Sequence, residues 1–183
     1  MAQIRPMLNH VGIFVRDLPR MERFYARALG LVVTDRGKGR SMPHDLVFMS
    51  GDASMHHQLV LASGRPADGV TTVNQLSFRV PALGDIRAIR DRALAEGATD
   101  ARGINHGNAW SVYMRDPEGN TVEIYADSPF YIPQPFGDPL DLSLSDAEIL
   151  TATEERCRPI EGFVTRAEWQ AELARRLAEP VPA

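Results

Sequence analysis

The sequence repeats itself at a spacing of 65 residues. His10 and Gln75 stand 65 apart, as do Gln58 and Glu123, and the intervals His10–Gln58 and Gln75–Glu123 are both 48. A constant offset marks an internal duplication, so one supersecondary unit is built twice and its two copies must share a core. Each copy opens on a strand. In LNHVGIFV, Val11, Ile13 and Val15 alternate with His10, Gly12 and Phe14; in VNQLSFRV, Leu76, Phe78 and Val80 alternate with Gln75, Ser77 and Arg79. Period-two alternation of this kind predicts half-buried strands. HQLVLA and TVEIYA form a second matched pair, with Leu59 and Leu61 answering Ile124 and Ala126, and Gln58 and Glu123 on the opposite face.

One helix follows the first strand of each copy. Asp17 is an N-cap before Pro19, and Met21, Phe24, Tyr25, Ala28 and Leu29 form an apolar stripe ending at Gly30. Leu83, Ile86, Ile89, Ala93 and Leu94 do the same before Gly97. A cap before and a glycine after a stripe of helical spacing are the expected start and stop chemistry. LVVTDRG and HDLVFMSG supply middle strands in the first half; in the second, Trp110 to Met114 is well marked and the stretch around Thr99 is not. With the apolar faces packed on helices, the other faces bring His10, Gln58, Gln75, Ser77, Arg79, Tyr113, Glu123 and Tyr125 to a shared concavity. Beyond Asp127 the texture changes. SPFYIPQPFGDP reads as an extended arm, and Ser145 with Glu148 and Thr165 with Glu168 read as capping boxes, the second opening a helix striped by Trp169, Leu173 and Leu177.

Composition excludes several classes. Twenty Lys+Arg against 24 Asp+Glu leave a formal charge of −4, unsuited to sequence-independent binding of nucleic acid. Cys157 is the only cysteine, so no intrachain disulfide or thiolate zinc cluster forms. MAQIRPMLNH lacks a signal-peptide core and no stretch approaches a membrane span, which predicts a soluble, cytoplasmic chain.

Over about residues 7 to 131 the chain resembles the vicinal oxygen chelate superfamily: glyoxalase I, fosfomycin-resistance proteins, bleomycin-sequestering proteins and type I extradiol dioxygenases. Leu8-Asn9-His10-Val11-Gly12, Asp17-Leu18, Phe24-Tyr25 and Leu29-Gly30 resemble its first module. Tyr113-Met114-Arg115-Asp116-Pro117-Glu118-Gly119-Asn120, followed by Val122-Glu123-Ile124-Tyr125, resembles the hairpin and terminal glutamate of single-domain ring-cleaving dioxygenases. The resemblance implies an α+β fold. Paired βαβββ modules, about 7–64 and 72–131, would form a curved half-barrel sheet, with a proline-rich arm and helical extension over 132–183.

It also implies one divalent metal held by His10, Gln75 and Glu123, with Gln58 as a fourth ligand or cavity residue. Gln75 stands where the dioxygenases place a second histidine. By strand parity His57 points away from the cavity unless a bulge re-aims it; His56 and His57 read as structural or surface residues. The implied reaction is Fe(II)-dependent extradiol cleavage of a catecholic ring by dioxygen, in the catabolism of aromatic compounds. His106 is its proton-handling residue and Tyr113 its hydrogen-bonding partner. Phe14, Val60, Trp110, Tyr125 and Tyr131 would hold the substrate. Two alternatives remain open: a glyoxalase-like isomerase or lyase using Mn(II), Ni(II) or Zn(II), and a metal-free binder of small molecules. The plainer readings are a buried polar pair for His10 and Glu123, a core tyrosine for Tyr113, a turn-stabilising pair for Arg115 and Asp116, and packing for Tyr131. A C2 homodimer with the C-terminal helices near its interface is expected.

Overall fold

The computed structural model describes residues 4–179; the last four residues of the expected C-terminal extension lie outside that span. The first copy runs β1 (Val11–Val15), α1 (Leu18–Leu29), β2 (Val32–Lys38), β3 (Asp45–Ser50) and β4 (Leu59–Ser63). The second runs β5 (Leu76–Arg79), α2 (Leu83–Ala95), β6 (Thr99–Asn105), β7 (Ala109–Arg115) and β8 (Thr121–Asp127). The helices form where the capping chemistry places them. Asp17 accepts from the Arg20 N–H at 3.0 Å, and Gly30 closes α1 at φ 76°, a left-handed conformation that suits glycine. In α2 the Asp85 carboxylate reaches back to the Ala82 N–H at 3.1 Å.

The strands of the two copies make two curved, unclosed sheets, ordered β1-β4-β3-β2 and, with the later strand β10 (Asp138–Pro139), β10-β6-β7-β8-β5. In each, the strand before the helix pairs in parallel with the last strand of its module. Met21, Phe24, Tyr25 and Ala28 of α1 and Leu83, Ile86, Ile89 and Ala93 of α2 are buried against Ile13, Val15, Leu59, Leu61, Leu76, Val122 and Ile124. The helices also touch each other, Arg92 donating to the Ala28 carbonyl at 3.0 Å.

The repeat is not carried through every strand. Val11 faces Leu59 across β1 and β4, whereas Leu76 faces Val122 across β5 and β8. The cause is the hairpin: nine residues separate the paired Met49 and Leu59, and seven separate the paired Met114 and Val122. Glu123 is therefore register partner of Ser77 rather than of Gln75, and the structural counterpart of Gln58 is Thr121. The shift of two preserves which face each residue takes.

After β8 come β9 (Phe130–Tyr131), β10, α3 (Asp146–Cys157), β11 (Val164–Thr165) and α4 (Arg166–Ala178). Both capping boxes form: Ser145 and Thr165 accept from the N–H groups of Glu148 and Glu168 at 3.3 and 3.2 Å. Ile149, Thr153 and Cys157 bury α3, whereas α4 has no buried residue.

Candidate functional site

Alternation along β5, β7 and β8 puts Ser77, Ser111, Tyr113 and Glu123 on the face away from the helices, and Glu123 is their meeting point. Its side chain belongs to a residue only 7% exposed. One oxygen, Oε2, accepts from Gln75 Nε2 at 2.8 Å and from the Ser77 hydroxyl at 2.6 Å; Oε1 accepts from the Ser111 hydroxyl at 2.8 Å. All three donors are neutral. Among the described residues no Lys or Arg pairs with this carboxylate, and the nearest basic atom is His106 Nε2 at 3.9 Å.

His106 is held at the β6–β7 turn, where its N–H donates to the Ala109 carbonyl and Gly107 takes φ 74°. Its Nδ1 lies 2.7 Å from the Phe136 carbonyl, which can only accept, so the ring proton sits there. Nε2 then carries the lone pair and accepts the Tyr113 O–H at 3.0 Å. Tyr113 is register partner of Glu123. Burial, reinforced by Glu123, pushes its phenol well above the usual range, so it stays a proton donor at neutral pH. Carboxylate, phenol and imidazole thus form one polar cluster on a sheet face.

His10 is placed elsewhere. Its ring packs on His57 with centroids 4.3 Å apart, and among the described residues no hydrogen bond or ring contact joins it to Gln75 or Glu123. It does line the cleft of about 750 Å³ between β1 and β5, which Ser77 and Arg79 also line. Among the described residues no group of three or more His, Cys, Asp and Glu side chains is arranged to hold an ion.

His57 packs on the inner face. Its ring lies edge-on to Phe48 at 5.1 Å, as well as against His10. Burial, then the neighbouring His10, lowers its pKa. Gln58 instead turns its carbonyl oxygen to the Gly51 N–H at 2.8 Å and caps the β3–β4 connection while lining the cleft. His57 takes the inner face against strand parity because β4 begins at Leu59 and no ladder pair fixes its side, while Gln58, bonded through its backbone to Met49 and Val11, lines the cleft as expected.

The expected substrate wall is divided. Val60 is half-buried on the inner face, where its register partners are Gly12 and Phe48, and Phe14 is 50% exposed with its ring edge-on to His44. Tyr125 is half-buried, and burial raises its phenol. Trp110 does not line the cavity: one residue out of phase with Ser111, it packs on α3 and donates its indole N–H to Thr153 at 2.8 Å. Tyr131 stacks on Trp169 at 5.2 Å. Ser111 went unassigned in the sequence, although it shares the face of Tyr113.

The sequence profile of the Glyoxalase/Bleomycin resistance protein/Dioxygenase superfamily matches residues 7–124. The chain belongs to this superfamily. Two curated relatives are dioxygenases of Rhodococcus globerulus. Biphenyl-2,3-diol 1,2-dioxygenase 2 is 24% identical over 96% of this chain and 95% of its own. Biphenyl-2,3-diol 1,2-dioxygenase 3 is 28% identical over 68% of this chain and 65% of its own length, just under two thirds. The fold is that of other superfamily members. A glyoxylase/bleomycin resistance protein/dioxygenase domain from Frankia sp. EAN1pec aligns with TM-score 0.56 at 22% identity, over 68% of this chain and 93% of that one. The fosfomycin resistance protein FosX from Listeria monocytogenes, solved with Mn(II) and sulfate, aligns with TM-score 0.53 at 16% identity, over 68% and 95%.

Proposed function

We propose that the chain is a divalent-metal-dependent dioxygenase that opens a catecholic ring, with Fe(II) as its metal. The observation that carries this reading is the buried Glu123 carboxylate, served among the described residues only by neutral donors and set beside a phenol–imidazole pair. Buried charges are ordinarily paired or bound to metal. Glu123, with the Gln75 amide turned to offer its oxygen, would suit a hard or borderline divalent ion, and His10, which lines the adjoining cleft, would be the third ligand. Gln58 is left out, its oxygen being committed to Gly51. When bound, such an ion would supply Lewis acidity toward a vicinal diol.

The chain's own residues do the rest. Tyr113 offers its O–H to a substrate oxygen, and His106 Nε2 stores or returns a proton through that phenol while the Phe136 carbonyl fixes the ring. Phe14, Val60 and Phe48 give the ring an apolar bed. Tyr113→Phe breaks this relay without touching Glu123. We expect kcat to fall between about tenfold and a hundredfold with little change in KM, as read by steady-state oxygen uptake.

Anaerobic loading with Fe(II), then addition of biphenyl-2,3-diol or 4-methylcatechol and air, tests the reaction. One dioxygen consumed per yellow ring-fission product supports it; no iron retained and no oxygen consumed would refute it. A lyase or isomerase on the same residues is favoured by one feature, the amide of Gln75 in the ligand set, and turnover persisting under argon identifies that chemistry instead. We further propose a homodimer, because β1 and β5 end their sheets with open edges. Among the described residues no helix is long and apolar enough to cross a membrane.

A further inference from the structure

The polar face that carries Glu123 continues past Tyr113 into a second hollow, of about 300 Å³, lined by Asp100, Arg102, Tyr113, Met114, Arg115 and Thr121. Two guanidiniums and one carboxylate line it. Arg102 is register partner of Tyr113, and its guanidinium carbon lies 5.9 Å from the centre of the Tyr113 ring. Among the described residues it makes no ion pair. Arg115 commits one nitrogen, Nη1, to Thr121 Oγ1 at 2.6 Å and the Gly119 carbonyl at 3.3 Å, which aims its guanidinium along the same face. It too has no ion pair among the described residues.

Most arginines near the sheets have an acceptor. Arg79 and Arg166 share Asp127, Arg65 meets Glu118, and Arg87 meets Asp146. Arg102 and Arg115 line one pocket in which, among the described residues, Asp100 is the one carboxylate, so two guanidiniums stand against a single negative charge there. Guanidinium forks of this kind recognise carboxylates and other oxyanions.

We propose that this hollow is a substrate-anion subsite, and that the ring handled at Glu123 carries a carboxylate-type substituent received by Arg102 and Arg115. The assignment rests on the catecholic reading above for the ring, but not for the anion. Tyr113 joins the two places: its O–H belongs to the Glu123 cluster and its ring lies beneath Arg102. A substrate lying along this tyrosine presents its diol at one end and its anionic group at the other.

Calorimetric titration of the anaerobic, iron-loaded protein with 3,4-dihydroxybenzoate, 4-methylcatechol and benzoate separates the two ideas. The expected result is a preference of about tenfold or more for the carboxylated over the methylated catechol. Arg102→Gln should abolish it and Arg102→Lys should largely restore it, with 4-methylcatechol binding alike in all three proteins. Equal affinities in the wild type, a preference that survives in R102Q, or no binding of any probe overturns the subsite. Arg102-dependent binding of benzoate with no binding of either catechol upholds the subsite and removes the ring-cleavage reading.

Discussion

Glu123→Gln is expected to abolish ring fission while leaving the chain folded. A bound metal ion is worth several kcal/mol of transition-state charge stabilisation, which is forfeited when the loss of a carboxylate ligand releases the ion. At about 1.4 kcal/mol for each factor of ten, kcat/KM should fall by at least about two orders of magnitude, together with the iron content of the loaded protein. The stability side runs the other way. Glu123 is a buried carboxylate with three neutral donors and no Lys or Arg partner among the described residues. Replacing a buried carboxylate that has no cationic partner among the described residues by an isosteric amide removes the cost of desolvating a charge. The Ser77 and Ser111 hydroxyls can turn from donor to acceptor, and the Gln75 amide can flip to offer its oxygen, so the new amide finds partners. Unfolding temperature should match or exceed that of the wild type. A variant that retains turnover, or one that loses it only because the fold has collapsed, removes Glu123 from the role of ligand.

Much of the architecture was legible because the governing signals are local. Asp17, Pro19 and Gly30 bound α1 through side-chain and backbone geometry within a few residues, and the capping boxes at Ser145 and Thr165 do the same for the C-terminal helices. The strand near Thr99 was weakly marked because β6 is mostly solvent-exposed and carries a register shift between Thr99 and Arg102, so little alternation is imposed on it. Gln58 and Glu123 match at the 65-residue offset but are not structural counterparts, for a different reason. An offset of 65 counts residues along the chain, whereas register is fixed by the hairpin, and a connection shorter by two moves Glu123 opposite Ser77.

The site divides along the same line. Residues inside regular strands took the faces that parity gave them: Ser77, Tyr113 and Glu123 point one way, and Trp110, one position out of phase, points into the helices. At strand ends parity carries no information. His57 and Gln58 precede the first ladder pair of β4, so which of them meets His10 is settled by the Gly51 N–H claiming the Gln58 oxygen. Arg102 has no sequence signature either. Its neighbourhood with Arg115 comes from the antiparallel pairing of β6 with β7, a contact between segments that only the sheet brings together.

Asp116→Ala should be the most destabilising single change in the β7–β8 hairpin. Asp116 is 3% exposed and accepts four hydrogen bonds: Oδ1 from the Glu118 and Asn120 N–H groups, both at 2.9 Å, and Oδ2 from Asn120 Nδ2 at 2.7 Å and the buried Tyr25 hydroxyl at 3.0 Å. Three of these hold the turn and one reaches α1, so the carboxylate ties the first module to the second. Glu118 reinforces the tie by accepting from the Arg16 and Asp17 N–H groups at 2.7 and 2.8 Å. Removing the acceptor orphans four donors at once, three of them buried, for which a loss of about 3–5 kcal/mol is expected. At about 2–4 °C per kcal/mol for a chain of this size, the melting temperature should drop by roughly 6–20 °C. Tyr25→Phe removes one donor and should cost about 1 kcal/mol. The pH dependence gives a second readout. Burial raises the Asp116 carboxyl above its ordinary value, its hydrogen bonds opposing that shift. Between the unfolded and folded values the native state binds the proton more tightly, so this group's contribution to stability declines as pH rises through the folded value. The wild-type minus D116A difference in unfolding free energy should therefore shrink as pH rises through that window. If D116A melts no lower than Y25F, or the difference grows with pH there, the carboxylate is not the clamp between the modules.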